Sequence, residues 1–592
     1  MKRMNGNYSI DIRKNKLINH KILDSKGVNE LVNTYNDNYL NYNYVNLSTT
    51  INRFAKISKD SNNDFINRLI PHVEYELKNF TPREIGNLAW SFATLNIKNV
   101  ELFDLLAKET EYKIKDFTSQ EISNLAWSFA TLNIKNKQLF DLLAEETKFK
   151  IKKFNSQNIS NLAWSFATFD INNTKLFDLL AEETKYKIKN FNSQEISNLA
   201  WAFATLNIKN VKLFDLLAEE TKFKIKGFTC QSISNLAWSF GTFNIYDIDL
   251  FNLLAQETKY TIKNFKAQEI SNFTWSLAIF NIKDIELFGL ILEEIKYKIR
   301  DFNPQEISNL AWSFAALNIV DLKLFNLLAK ETKYKIQDFK SQEIANLAWS
   351  FATLKINCFQ LLNLLTEETI YKIKNFNSQE ISNLAWSFAT LNINNKELFN
   401  LLAKEVKYKI KNFKSQEIVN LVWSLATLNI NDIELFTVLI NNIDDNKLLL
   451  IELNQLYYVY LYFKYELRSD KMVNLMVNFN FSRLFNYPNQ TKSSCLHKDI
   501  SNCLTLLSIK FKNEVEINGL FCDIFVKHNK TIVEINGPSH YSYKSHQLLG
   551  PTVFKNRLLK AMNKRVITIP YWEWDDLRTI QEKKSYLLSI LG

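Results

Sequence analysis

The sequence predicts a mainly α-helical protein: a right-handed α–α solenoid of 37-residue helix pairs, followed by a small α/β domain. Two observations predict this fold class. Ten of the twelve tryptophans are spaced 37 residues apart, and such a strict period is typical of stacked copies of one supersecondary unit. From about residue 495, short apolar runs separated by Asn-Gly and His-Asn pairs predict strands and hairpin turns. The repeated tryptophans are Trp90, Trp127, Trp164, Trp201, Trp238, Trp275, Trp312, Trp349, Trp386 and Trp423.

Two segments precede the clear repeats. The first twenty residues carry five Lys and Arg residues against a single acid, so we expect residues 1–40 to be a disordered basic extension or an organelle-targeting segment. Residues 41–80 hold a weak copy of the repeat without its tryptophan. We expect that copy to cap the array, because the terminal repeats of solenoids are atypical.

Residues 81–430 contain ten repeats, and each repeat reads as two helices. The first helix begins with a capping residue followed by Pro or a small polar residue and then Glu, as in residues 81–84. A short Asn-rich turn follows. The second helix, for example residues 102–115, ends in lysines that suit the negative end of the helix dipole.

The first helix has two distinct faces when its residues are placed at about 100° intervals. Ile122, Leu125 and Phe129 form an apolar stripe that should pack on the second helix. Trp127 falls on the opposite face, close to Asn124. The tryptophan either covers the seam to the next repeat or offers a ring on which an RNA base stacks, which is worth roughly 1–3 kcal/mol per base.

An asparagine stands three residues before every repeated tryptophan. It either hydrogen-bonds a neighbouring group inside the array or reads the edge of an RNA base. Ten nearly identical repeats predict a monotonous or degenerate RNA preference, because readers of one base per repeat distinguish bases by variable side chains. The candidate RNA-binding residues of the array are Asn87, Asn124, Asn161, Asn198, Asn235, Asn272, Asn309, Asn346, Asn383 and Asn420, with Trp127 and Trp238.

Residues 431–494 read as a degenerate terminal repeat and a linker, and residues 495–592 as a domain of order α-β-β-β-α-β. A two-residue turn at His528 and Asn529 would place Asp523 directly opposite Glu534. Two carboxylates about 5 Å apart on one sheet face are candidate Mg²⁺ ligands. Alternatively, Asp523 caps a turn and Glu534 pairs with Lys544 or Arg557.

Charge and composition narrow the classes of partner. The net charge of +11 favours a polyanion such as RNA or an acidic membrane face, unless it only reflects a basic proteome. No apolar stretch approaches about 18 residues, so we expect no membrane span. The five cysteines form no C-x-x-C pair, which predicts a reducing compartment.

The C-terminal segments VEINGPSHY (533–541), KNRLLKAMN (555–563) and VITIPYWEW (566–574) resemble the RAP domain, with a match over roughly residues 518–590. The 37-residue repeats resemble the heptatricopeptide and octotricopeptide repeats that precede RAP domains in organellar RNA-handling proteins of apicomplexan parasites, algae and animals. The resemblance implies RNA binding inside a mitochondrion or a plastid.

The RAP domain is similar in fold to restriction-endonuclease-like nucleases of the PD-(D/E)xK type. The resemblance implies that Asp523 and Glu534 match the two acids, whereas Asn536 stands where the motif has Lys. Because Asn cannot supply a positive charge, we expect the domain to grip RNA rather than cut it. Lys544, Lys555 or His540 are the residues that would replace the missing lysine.

We therefore expect an organellar RNA-binding protein that acts in RNA stabilisation, processing or ribosomal RNA assembly. The solenoid should track single-stranded ribosomal or messenger RNA, and the terminal domain should grip an RNA end or structure through His540 and Lys555. Trp572 and Trp574 either stack a flipped or terminal RNA base or close the hydrophobic core against the last helix. We expect a monomer without a membrane or a required cofactor, in the mitochondrion or alternatively in the plastid (apicoplast), with ribosomal or ribonucleoprotein proteins as further partners. The alternatives are a Mg²⁺-dependent endoribonuclease and a protein-binding helical scaffold.

Overall fold

The computed structural model describes residues 2–58, 64–485 and 494–592. They form two compact units, residues 1–291 and 292–592, and the boundary falls within a helix of the array. Each unit consists mainly of stacked helix pairs, and the second unit also holds a four-stranded sheet. Residues 59–63 of the predicted capping repeat and residues 486–493 of the predicted linker lie outside the described residues.

Among the helices of the described residues, none is both apolar and long enough to span a membrane.

Four helices precede the regular repeats. They are α1 (Lys2–Asp24), α2 (Val28–Asn38), α3 (Tyr44–Ile57) and α4 (Asp64–Glu76). Ile22 and Leu31 are fully buried, and α1 packs against both α2 and α3. The prediction of a disordered extension is therefore wrong for residues 13–40, because apolar residues at helical spacing give these helices a face that packs on the array.

Ten helix pairs follow, one in each 37-residue period. The tenth pair ends at Ile440, so the array continues beyond the predicted boundary at residue 430. In chain order the helices are α5 (Pro82–Thr94), α6 (Val100–Lys113), α7 (Ser119–Thr131), α8 (Lys137–Lys150), α9 (Ser156–Thr168), α10 (Thr174–Lys187), α11 (Ser193–Thr205), α12 (Val211–Lys224), α13 (Cys230–Phe243), α14 (Ile248–Thr261), α15 (Ala267–Ile279), α16 (Ile285–Lys298), α17 (Pro304–Ala316), α18 (Leu322–Lys335), α19 (Ser341–Thr353), α20 (Phe359–Lys372), α21 (Ser378–Thr390), α22 (Lys396–Lys409), α23 (Ser415–Thr427) and α24 (Ile433–Ile440).

Asparagines close the turn inside a repeat. After α7, Asn133 adopts the left-handed conformation with φ of 50°, and the Ile134 amide donates to Phe129 O at 2.9 Å. Asn136 then caps α8, because its side chain accepts a hydrogen bond from Leu139 N at 3.0 Å. Asn tolerates the left-handed region better than most residues, which explains why the predicted Asn-rich turn recurs in the repeats.

Within each unit, seams between repeats form chiefly between first helices, which pack on one another along their length. The predicted stripe of Ile122, Leu125 and Phe129 is fully buried. The Phe129 ring lies 4.9 Å from the Phe103 ring of the preceding repeat, so the stripe also packs across the seam. At the end of α8, Lys150 donates from Nζ to main-chain carbonyls of the preceding repeat, and we call a lysine at this position a seam lysine.

The array ends with a shorter pair of helices and a single turn of helix. They are α25 (Leu450–Leu461), α26 (Asp470–Met476) and α27 (Ser482–Phe485). Because α25 packs on α23 and α26 packs on α24, this segment continues the stacking as a degenerate terminal repeat.

The C-terminal domain is a four-stranded sheet with helices, in strand order β1-β2-β3-β4. β1 and β2 pair antiparallel, as do β2 and β3, whereas β3 and β4 are parallel. Its main core lies around Ile524, Val533 and Trp574, between the sheet and the helices Cys495–Leu506 and Ile580–Leu591. The elements are α28 (Cys495–Leu506), β1 (Phe511–Ile517), β2 (Leu520–Val526), β3 (Thr531–Asn536), α29 (Gly550–Ala561), β4 (Arg565–Pro570), α30 (Tyr571–Asp575) and α31 (Ile580–Leu591).

Candidate functional site

In each of the two units, the predicted asparagine and tryptophan positions form an accessible strip on the first helices, and we call these positions the Asn–Trp strip. All ten asparagines are half-buried, as are nine of the ten tryptophans, and only Trp423 is buried. Within the described residues, no amide side chain of the ten asparagines has a hydrogen-bond partner. An Asn without an internal partner has both its donor and its acceptor available to a ligand.

The tryptophans of the strip also cover the seams between repeats. A Cβ atom added to Gly241 would lie 2.9 Å from Cζ3 of Trp275, so the indole rests directly on the first helix of the preceding repeat. In the second unit, the Trp312 and Trp349 rings are stacked with centroids 6.4 Å apart. Each half-buried indole therefore contributes packing at a seam and keeps part of its surface accessible.

The predicted register of the acidic pair is confirmed. Ile524 pairs with Val533 and Val526 with Thr531, which places Asp523 opposite Glu534. Asp523 Oδ2 accepts a hydrogen bond from the Ile535 amide at 2.7 Å.

Glu534 is buried and ion-paired with a helix residue. Its Oε2 atom lies 2.6 Å from Lys555 Nζ on α29. The expected alternative partners of Glu534 are wrong, because Arg557 pairs with Glu466 and the Lys544 ammonium lies over the Tyr543 ring.

Burial controls the protonation of these groups. It raises the pKa of Glu534, and the Lys555 charge opposes that shift. Burial alone would lower the pKa of Lys555, but Glu534 holds it above its usual value. The pKa of the nearby His540 imidazole is lowered by burial, which favours a neutral ring that hydrogen-bonds Thr552 Oγ1 at 3.0 Å through Nδ1.

One oxygen of each acid is bound by a protein group. Lys555 pairs with Glu534 Oε2, and the Ile535 amide donates to Asp523 Oδ2, whereas Glu534 Oε1 has no hydrogen-bond partner among the described residues. Asn536 is buried at the end of β3 and brings no charge. Among the residues that the structure describes, no group of three or more His, Cys, Asp and Glu side chains is arranged to hold a metal ion.

Two cavities flank the acidic pair, and His540 lines both. The first, of about 280 Å³, combines Glu534 and Lys555 with Trp423 and with Tyr458 of the terminal repeat. Asn454 and Gln455 add amide groups to its wall. The second, of about 290 Å³, is lined by Asp523, Cys522 and His497, among others. The last tryptophan of the repeats thus meets the C-terminal domain at the acidic pair.

The two tryptophans of the C-terminal domain have different environments. Trp574 is buried in the core, and its indole N–H donates to Asp499 at 2.9 Å. Of its two predicted roles Trp574 therefore has the second, because the ring closes the core between the sheet and the last helix and is not open to an RNA base. Trp572 is half-buried, and the His546 ring stacks on it at 3.8 Å.

The C-terminal domain docks on the repeats through residues that sequence reasoning missed. Arg557 donates to the main-chain oxygens of Ala426 and Thr427 at the end of α23. Lys355 Nζ donates to Ser539 O at 2.9 Å. Lys355 is the one lysine among ten equivalent left-handed turn positions, all of them described, where the other repeats have Asn or Asp. In the sequence, this lysine was the indication that its repeat makes a contact that the other repeats lack.

The fold places this protein in the class of helical-repeat proteins that carry a small α/β domain at the C-terminal end of the array. Residues 31–285 and 281–444 match the family described as RNA-editing substrate-binding complex 6 protein. Because these matches cover more than half of the 592 residues, the chain belongs to that family. Residues 533–590 match the RAP domain, which confirms the resemblance of the C-terminal segments.

A curated relative shares part of the chain. It is the "RAP domain-containing protein, chloroplastic" of Oryza sativa subsp. japonica, which is 31% identical over 126 residues. The similar stretch covers 21% of this chain and 19% of the rice protein.

Proposed function

We propose that the protein binds single-stranded RNA along the Asn–Trp strip. The observation that carries this proposal is the set of ten accessible asparagine amides without partners among the described residues, nine of them one helical turn before a partly accessible indole. Amides that read base edges and rings that stack bases are the tools by which helical repeats and single-strand binders hold RNA. The basic net charge of +11 supports a polyanionic partner.

The names of the similar proteins support the same proposal. The matched family is named for binding RNA-editing substrates within a complex, and the rice relative is named as chloroplastic. We extend both statements to this chain: it acts in an organelle, the mitochondrion or alternatively the plastid, on ribosomal or messenger RNA. RNA stabilisation, processing and ribosomal RNA assembly are the roles that such a binder serves, alone or with ribonucleoprotein partners.

The C-terminal domain adds a site for the end of the RNA. The cavity between Trp423, Tyr458 and Lys555 has the size for a single nucleotide's base and offers aromatic and amide groups. We assign binding rather than cleavage to this site, because Asn536 stands where the nuclease motif has Lys and brings no charge. A cleavage assay with Mg²⁺ separates the two: metal-dependent cutting that Asp523→Ala abolishes would establish the nuclease alternative.

The test of the strip compares two triple variants of the same repeats. Asn309, Asn346 and Asn383 change to Ala on the first helices; Asn326, Asn363 and Asn400 change to Ala on the second helices. Because none of these amides has an internal partner among the described residues, both variants should melt like the wild type. Only the first should weaken binding of a single-stranded oligonucleotide, by about tenfold or more, since one good base contact is worth roughly 1–3 kcal/mol.

Equal affinities of the two triple variants, measured by fluorescence anisotropy at one salt concentration, would show that the asparagines of the first helices do not contact RNA. Loss of binding by the second-helix variant alone would move the interface to the other side of the array.

A further inference from the structure

A second periodic feature lies at the far ends of the second helices. One aromatic side chain occupies the same place in the capping pair of α3 and α4 and in nine of the ten regular repeats, and each is at least 70% exposed. The tenth repeat has Asp445 at that place. We call this set the aromatic row. Its members are Tyr75, Tyr112, Phe149, Tyr186, Phe223 and Tyr260 in the first unit and Tyr297, Tyr334, Tyr371 and Tyr408 in the second.

Packing does not explain the aromatic row. A ring that is at least 70% exposed buries little apolar area, so it adds little to the stability of its helix. The ring is nevertheless kept at all ten positions of the row, with Phe replacing Tyr only at Phe149 and Phe223. The residue just before it varies among Glu, Lys and Ile, as at Glu74, Lys185 and Ile370. The position of the ring is therefore always aromatic, whereas the position before it changes between acidic, basic and apolar residues.

Lysines accompany the rings across the seams. Lys152 Nζ lies 4.9 Å from the centroid of Tyr186, and Lys189 Nζ lies 4.9 Å from that of Phe223. In both cases the lysine comes from the preceding repeat and covers one face of the ring. The high exposure of the rings leaves other ring surface open to a ligand.

Beside two rings of the aromatic row, two lysines share one buried carboxylate. Glu183 is ion-paired with both Lys187 and Lys152, at 2.8 and 2.9 Å. One buried carboxylate thus neutralises only one of two cations at that seam. Glu220 is placed in the same way between Lys224 and Lys189. Lys185 pairs with Glu182, so the position of Tyr186 keeps a net positive charge, whereas Lys222 pairs with both Glu219 and Asp247 and balances the excess beside Phe223.

Docking of the C-terminal domain leaves the aromatic row free in the second unit. Lys355, which contacts that domain, precedes the start of α20, and Tyr371 lies in the last turn of the same helix. A helix of 14 residues separates its ends by about 20 Å at 1.5 Å per residue. The domain and the aromatic row therefore occupy opposite edges of this repeat.

We propose that the aromatic row is a second binding surface for single-stranded RNA, in which bases stack on the exposed rings and phosphates lie against the lysines over the rings, such as Lys152, Lys189 and Lys226. The proposal rests on the proposed function for its choice of ligand, and it adds a surface distinct from the Asn–Trp strip. Aromatic platforms interleaved with cations are the design of sequence-tolerant single-strand binding. A protein partner fits less well, because lysine is depleted in protein interfaces and the row alternates rings with lysines.

The test replaces three rings in the first unit. Tyr186, Phe223 and Tyr260 change to Ser in one variant; in the control, the exposed apolar residues Val100, Val211 and Ile248 at the opposite ends of second helices change to Ser. With a 40-nucleotide oligouridine as probe, the ring variant should bind about tenfold more weakly or worse, since stacking contributes roughly 1–3 kcal/mol per base. The control should bind like the wild type, and both should keep the wild-type melting temperature.

A second variant tests the charges independently of the rings. Changing Lys152, Lys189 and Lys226 to Gln removes three cations beside the row. The slope of log affinity against log salt should then fall by about two, because each phosphate contact on a single strand contributes about 0.7.

The outcomes separate the two proposals. Wild-type affinity and an unchanged salt slope in both row variants, together with weaker binding by the Asn309, Asn346 and Asn383 variant, would overturn the second surface and leave the Asn–Trp strip intact. Failure of the wild type to bind oligouridine would overturn both.

Discussion

Cationic side chains donate to main-chain carbonyls both at the seams between repeats and at the contact between the array and the C-terminal domain. The seam contact recurs along the array, whereas the domain contact occurs once. At a seam, Lys187 donates to two main-chain carbonyls of the preceding repeat, and seam lysines do the same in most other repeats. At the domain contact, Arg557 donates to the carbonyls of Ala426 and Thr427. That arginine contact has no second copy.

This difference distributes stability unequally. Repeats interact with their neighbours only, so the loss of one seam contact weakens two repeats and leaves the others unchanged. In the C-terminal domain, individual groups such as the Glu534–Lys555 pair and the close approach of Gly550 have no substitute. We therefore expect single substitutions to have larger effects in the domain than in the array.

The largest expected effect is that of Lys555→Met. It leaves the buried Glu534 carboxylate without its partner, and removing one member of a buried pair costs about 3–5 kcal/mol. Burial raises the pKa of Glu534 in the folded state, so the variant should be most stable at low pH and lose stability as pH rises. Chemical denaturation at pH 5 and pH 8 measures this dependence.

Adding Glu534→Gln to Lys555→Met should remove most of that pH dependence, because no buried acid then remains at the position. A single variant Lys555→Met that is equally stable at both pH values would show that Glu534 is not the group responsible.

A smaller effect is expected from Gly550→Ala at the start of α29. The added Cβ would lie 1.8 Å from Ala389 O, so the domain must shift away from the array. Overpacking of this kind costs about 1–3 kcal/mol. Limited proteolysis should release the C-terminal domain faster than in the wild type. Gly537→Ala is the matched control, since nothing lies within 4 Å of a Cβ at that position; equal proteolysis of both variants would contradict the docking contact.

The smallest effects are expected at the seams, and they should have opposite signs at two equivalent positions. Lys187→Thr removes a seam lysine, whereas Thr261→Lys adds one to the repeat in which Thr occupies that place. Each change should shift the free energy of unfolding by about 1 kcal/mol, the first downward and the second upward, because one charged hydrogen-bonding group is lost or gained. A destabilising Thr261→Lys would mean that seam geometry differs in that repeat.

The repeats were predictable because their information is local and repeated. A 37-residue period, capping residues and Asn-rich turns gave the helix pairs without knowledge of their contacts. The register of Asp523 and Glu534 was predictable for the same reason, since a hairpin turn determines which residues face each other. The face of the first helix that carries Trp127 also followed from helical periodicity alone.

Contacts between distant segments were not predictable in this way. The sequence offered several cations for Glu534, and only the packing of α29 on the sheet selects Lys555. The cavity at Trp423 needs the terminal repeat and the C-terminal domain together. The basic composition of the N-terminal segment favoured disorder, whereas the apolar residues Ile22 and Leu31, which are buried, hold residues 13–40 in helices that pack on the array.

Ultraviolet cross-linking of the intact protein to oligouridine, followed by identification of the cross-linked peptides, tests the central claim most directly. The account predicts cross-links on the first helices at the tryptophans of the Asn–Trp strip, for example within α7 and α9 at Trp127 and Trp164. Cross-links that avoid every first helix and fall only on the C-terminal domain would contradict it.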